Sequence, residues 1–235
     1  MAERCIEVTG ARWERIPVRT RLILKGDDLL DAVREGLSAA GETLRPDDIL
    51  FLGEKAVGAS QGRYFLLDDG TLEPRELARL LARFVTKTPS GIGLGMPETM
   101  ECALREVGVP RILLAAFVGM VGRLIGRKGD FYRIAGPRAR SIDGPTHGTI
   151  PPFDRAVSLS PLDPDGVSHR ISDALGCPVA VVDINDLGGN ILGRWPASLD
   201  EKLLLGILRD NPLGQGTQST PVGIARRRMD FRGQT

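Results

Sequence analysis

The 235 residues suit one large domain or two small ones sharing a core, and a 42% hydrophobic composition is ample for burial, as in an ordinary globular protein. Lys plus Arg number 31 against 30 Asp plus Glu, so no net field drives the chain toward nucleic acid or acidic lipid. Leu22-Ile23-Leu24 predicts a strand, after which Gly26-Asp27-Asp28 turns and caps a helix whose Leu29, Leu30, Val33 and Leu37 repeat at helical spacing. Ile49–Leu52 predicts a buried strand leading into Gly53-Glu54-Lys55, and Tyr64–Leu67 a second extended piece ending in the turn Asp68-Asp69-Gly70. Pro74 fits the first turn of a helix bearing Leu77, Leu80, Leu81 and Phe84 on one buried face.

From Ser90 the texture changes. The glycine-rich run Gly91–Pro97 opens onto a helix with Met100, Ala103, Leu104 and Val107 inward, stopped by Gly108. Ile112–Phe117 then predicts a buried strand, and the glycines up to Gly136 predict irregular backbone with a hairpin through Phe131-Tyr132-Arg133-Ile134. Asp165 is expected to cap a helix closed by Gly176, and Pro178–Asp183 returns as an apolar strand. Ser198 and Glu201 form a capping box for a last helix through Leu208, and Arg226, Arg227 and Arg228 read as a solvated basic cluster.

Cys5, Cys102 and Cys177 are odd in number and far apart, which argues against a disulfide framework or a zinc site and points to a reducing, cytoplasmic home. The N-terminus lacks a signal pattern and the most apolar stretch, Ile112–Val121, is too short to span a bilayer, so no membrane is expected. With two histidines, His147 and His169, a catalytic zinc and a nucleophilic triad both lack support. Three segments carry the chemistry: Leu162-Asp163-Pro164-Asp165-Gly166, the run Val181–Gly189 and the loop Asn211–Pro221. Asp183 and Asp186 follow a buried strand, where a hard cation can be held, although Asp after a strand equally serves its own turn. Asp165 reads as structural. The Gly91–Pro97 run lacks the Gly-Lys-Ser/Thr ending of a phosphate loop. Gly126-Arg127-Lys128-Gly129 imitates the G-x-x-G loop of KH modules, but a strand, not a helix, is expected after it, so nucleic acid is disfavoured.

Several pieces together resemble the coenzyme F-420-0:L-glutamate ligase family of GTP-dependent enzymes, which attach glutamate to a deazaflavin cofactor precursor. Arg15-Ile16-Pro17-Val18 with Lys25–Leu29, Asp47–Leu50 with Glu54–Val57 and Gln61-Gly62-Arg63, and Leu159–Gly166 carry the resemblance. So do the strand into Asp183–Asp186 and Leu213-Gly214-Gln215-Gly216 before Pro221. It implies an α+β fold of mixed sheets with helices in two interleaved subdomains, and a homodimer. The expected divisions are an N-terminal α/β part over 1–90, a glycine-rich insertion over 91–145 and a C-terminal α/β part over 146–235.

The resemblance further implies GTP as substrate and Mg²⁺ or Mn²⁺ as cofactor. Metal would fall to Asp183, Asp186 and Gln215, with Asp143 an acid near the family's upstream metal aspartate. The nucleotide would fall to Arg15, Ile16, Pro17, Val18, Glu54, Lys55, Leu213, Gly214, Gly216, Thr217, Gln218, Ser219 and Thr220. Departures are Ala59 where the family has a lysine, and the lack of a family segment between Asn190 and Ser198. These keep open a non-catalytic ligand-binding protein on the same scaffold, with RNA binding through Gly126–Gly129 a third reading.

Overall fold

The computed structural model describes residues 3–85, 93–146, 148–185, 188–214 and 218–228. In chain order its strands are β1 (Cys5–Val8), β2 (Ala11–Val18), β3 (Ile49–Gly53), β4 (Tyr64–Leu66), β5 (Ala156–Ser158), β6 (Val179–Asn185), β7 (Gly188–Trp195) and β8 (Val222–Arg228). The helices are α1 (Leu29–Ala40), α2 (Glu54–Ser60), α3 (Glu76–Ala82), α4 (Pro97–Val107), α5 (Val109–Leu124), α6 (Asp130–Ala135), α7 (Pro137–Arg140), α8 (Pro164–Leu175) and α9 (Glu201–Leu208). The fold is α+β. Its contacts divide the chain into two units, Met1–Gly62 with Pro161–Thr235, and Arg63–Ser160, so the second is inserted within the first.

The first unit is built on a six-stranded sheet of order β1-β2-β8-β3-β6-β7. Only β3 and β6 run parallel; the other neighbours are antiparallel. One face carries Trp13, Ile49, Phe51, Ala180, Val182 and Ala225, packed against Leu204, Ile207 and Leu208 of α9. The opposite face meets α1 and α8. Gly36 of α1 lies against Val18 and Arg19, and Gly193 of β7 leaves room for Pro164 and Asp165 of α8, where any side chain would collide with backbone. The inserted unit pairs β4 with β5 and packs α3 to α7 around Met100, Leu104, Ile112 and Val157.

Several expectations hold: α1 is capped by Asp28, β3 and β4 form where expected, and α4 stops at Gly108. Others are corrected. Leu22–Leu24 is no strand, because the Leu24 amide donates to the Asp27 carboxylate and not to a neighbouring strand. Ile112–Phe117 lies in α5, since a short apolar run looks alike in strand and helix and Pro110 opens sixteen helical residues here. Phe131–Ile134 is helix α6 and not a hairpin, set between Gly129 and Gly136, both at positive φ. In α3 the buried residues are Ala78 and Ala82, while Leu80 and Phe84 face solvent. Pro74 precedes that helix, whose N-cap is Arg75.

Caps also moved. Asp163, not Asp165, caps α8, and Asp200, not Ser198, caps α9. The arginine cluster is no solvated tail: Arg226 of β8 donates to the fully buried Asp48 and to Glu42, and Arg228 pairs with Glu14. Among the described residues no single helix is long and apolar enough to cross a bilayer.

Candidate functional site

The strand register brings distant segments to one edge of the sheet. Gly53 at the end of β3 stands beside Val182 of the parallel β6, and Leu52 pairs with Val222, the first residue of β8. Val222 also pairs with Val18, the last residue of β2. The end of β2, the start of β8, the Gly53-Glu54-Lys55 junction and Asp183 therefore share the edge beyond the carboxyl ends of the parallel strands, where open sheets present their ligands.

The loop before β8 is stitched to that edge. The Gly53 amide donates to the Pro221 carbonyl at 2.7 Å, and the Thr20 amide to the Ser219 carbonyl at 3.0 Å. The Ser219 hydroxyl donates to Thr20 O at 3.1 Å, Arg19 Nε donates to Gln218 O at 3.1 Å, and the Thr220 hydroxyl closes the loop on Leu213 O at 2.6 Å. Gly223 makes room for Leu213: a Cβ there would stand 2.5 Å from Leu213 Cδ2. The result is a cleft lined by Arg15, Ile16, Pro17, Phe51, Leu208, Pro212, Leu213, Gly223 and Ile224. The room left inside it is about 10 Å³, enough for about one water molecule and far below the roughly 300–1,000 Å³ of small-molecule sites.

Within this frame Arg15 is committed internally. Its guanidinium donates to both carboxylate oxygens of Asp210 and to the carbonyls of Ile207 and Glu3. Hydrogen bonding from Arg15 holds the Asp210 carboxyl below its ordinary range. Ile16 and Pro17 line the cleft, whereas Val18 is buried beneath α1. Glu54 is buried in the first turn of α2, and Lys55 beside it is exposed. Leu213, Gly214, Gln218, Ser219 and Thr220 form the stitched loop; Gln215, Gly216 and Thr217 lie outside the described residues.

Asp183 does not follow the strand but belongs to it, paired with Asn190 of β7 two residues before β6 ends. Asp186 and His147 lie outside the described residues. Asp143 is exposed in the inserted unit, its backbone bridged to Ser158. Among the described residues no three His, Cys, Asp or Glu side chains converge as metal ligands. Sequence reasoning missed Phe51, Leu208, Gly223 and Ile224 as lining residues, and Asp210 as the partner of Arg15. The Asn211-Pro212 turn dipeptide was the available signal for the first bend of the loop.

The Leu159–Gly166 stretch serves architecture. Asp163, at φ +45°, accepts from the Gly166 amide at 3.1 Å, and a Cβ on Gly166 would fall 2.0 Å from Asp163 Oδ2, so glycine is required. Asp165 accepts from the Arg194 amide of β7 at 2.9 Å, as a structural residue should. The Gln61 side chain clamps Leu162 from both sides, donating to its carbonyl at 2.9 Å and accepting from its amide at 2.7 Å.

Compared with known proteins, the chain matches the family model described as F420-0:Gamma-glutamyl ligase over residues 17–192. No curated protein matches it. The matched span contains β3, α2, the Gln61 clamp, the α8 cap and β6, and leaves out Arg15, the 211–221 loop and β8. Because that span is well over half of the chain, the protein belongs to the F420-0:gamma-glutamyl ligase family.

Proposed function

We propose that this member forms a γ-glutamyl amide on a carboxylate acceptor at the expense of a nucleoside triphosphate, GTP by resemblance. The observation that carries this reading is the gathering of four sequence-distant segments at the carboxyl edge of β3 and β6. In the reaction the γ-phosphoryl group moves to an acceptor carboxylate, giving an acyl phosphate and the nucleoside diphosphate. The glutamate amine then attacks the acyl carbon, the amide bond forms, the bond to phosphate oxygen breaks, and the amine proton is lost to solvent. The backbone amides of Ser219 and Thr220 would orient phosphate, and Lys55 would add a cation.

Asp183, Asp186 and Gln215 offer only hard oxygen donors, a set that suits Mg²⁺ or Mn²⁺. Such an ion, when bound, neutralises phosphate oxygens. The acceptor is an unidentified carboxylate, a deazaflavin precursor being the one the resembled family uses, and the working unit is a homodimer. Isothermal titration of GTP and ATP with and without Mn²⁺, followed by phosphate release with glutamate and the precursor, tests the reading. Metal-dependent GTP binding and phosphate release matching amide formed are expected; absence of binding by either nucleotide removes it. The internal commitment of Arg15 favours a second reading, a non-catalytic binder on the same scaffold, which would bind ligand without releasing phosphate.

A further inference from the structure

In the inserted unit α5 is apolar on two sides, and only one is covered. Its covered side carries Ile112, Ala115, Gly119 and Gly122. A Cβ on Gly119 would stand 3.0 Å from Phe131, and one on Gly122 2.4 Å from the Asp130 carboxylate, so α6 is seated directly on this side. Asp130 is held in turn by Arg127 and Arg133. The other side presents Leu113, Leu114, Phe117, Met120, Val121 and Leu124, all exposed, Phe117 by 60% and Leu124 by 83%. At 3.6 residues per turn these six fall within an arc of roughly 120°, the width of a buried stripe, yet nothing of the described chain covers it. A continuous exposed patch of this kind marks a surface that meets another apolar phase.

Charge identifies that phase. Between Val109 and Arg140 the sequence holds seven Arg and Lys against a single acid, Asp130, in a chain whose net charge is +1. Arg111 and Arg123 border the apolar arc on its two edges, and Arg127 and Lys128 follow its C-terminal end, all exposed. A second copy docked on this face would set the two cationic rims against each other. A nucleic acid suits the cations and the Gly126–Gly129 loop, which does lie between two helices, α5 and α6, but it has no use for leucine, phenylalanine and methionine side chains. Only an anionic bilayer surface satisfies both features: its acyl boundary takes the apolar arc and its headgroups take the rim.

We infer that the α5 face is a peripheral docking surface for anionic lipid membranes, on which the helix lies in the interface without crossing it. The probe is co-sedimentation of the full chain with vesicles of phosphatidylcholine containing phosphatidylserine, against vesicles of phosphatidylcholine alone. Binding to the anionic vesicles should exceed that to neutral ones by at least about tenfold, and Arg127→Gln with Lys128→Gln should weaken it about thirtyfold, from the ~1 kcal/mol per basic residue of such contacts. Phe117→Glu with Leu124→Glu should abolish it while leaving the thermal midpoint unchanged, both side chains being exposed. Three results overturn the proposal. One is no binding to anionic vesicles. Another is a wild-type dimer in sedimentation velocity that the two glutamates split into monomers. The third is capture of single-stranded RNA that Gly129→Asp removes and the two glutamates do not.

Discussion

Single residues fix the geometry at the start of α8 and at the cleft. Gly166 is glycine because the Asp163 carboxylate occupies the space of its Cβ, and Asp163 accepts a left-handed backbone to deliver that carboxylate to the α8 amides. Gly166→Ala should therefore cost about 2 kcal/mol, the upper range for a lost N-cap, and lower the thermal midpoint by about 4–8 °C for a chain of this size. Differential scanning calorimetry measures this directly, and an unchanged midpoint would show that the cap rearranges without loss. Gly223 plays the corresponding part at the cleft, where its missing side chain lets Leu213 lie on the sheet. Gly223→Ala should displace Leu213 and weaken nucleotide binding about tenfold, some 1.4 kcal/mol, read by the same titration that tests the proposed function.

At the level of elements, α3 and α4 are joined by a buried charge. Glu101 of α4 is 1% exposed and accepts from Arg75, at the N-cap of α3, and from Arg105 one turn along α4. Burial alone would lift its carboxyl, but the hydrogen bonds from Arg75 and Arg105 outweigh it and hold the group below the ordinary glutamate value of 4.5. A depressed folded pKa gives stability that is present above the unfolded value and is lost as pH falls through the folded one. Urea unfolding of Glu101→Gln should thus show a loss of about 2 kcal/mol at neutral pH, discounted for the half-exposed arginines. Below pH 4.5 the gap to the wild type should narrow; a constant gap would assign the loss to packing.

Elements with their own punctuation were legible in the sequence. Asp28 opens α1, and Gly176 followed by the apolar run from Val179 announces the return from α8 into β6. Helices α5 and α6 were not, because aromatic and apolar runs broken by glycine carry no period, and only the packing of Gly119 and Gly122 against α6 selects helix. The β1–β2 hairpin escaped because Thr9-Gly10, both at positive φ, make the tight turn that Asn-Gly more often signals, and charged Arg12, Glu14 and Arg15 mask the alternation. The segments of the site could be named from sequence. That Asp210, far along the chain, neutralises Arg15 could not, since no local pattern records a tertiary ion pair.

For the molecule as a whole, the insertion of Arg63–Ser160 separates the first three strands of the large sheet from the last three. The family match ends at 192, yet the strand between β2 and β3 is β8, at 222–228. That placement imposes an order on synthesis. On the ribosome the continuous 63–160 stretch can collapse as soon as it emerges, whereas β2 and β3 must wait, their facing rims unpaired, until the final strand clears the exit tunnel and slides between them. The nascent polypeptide thus carries these unpaired edges from the emergence of β3 until that of β8, and holdase capture during that interval should raise its yield.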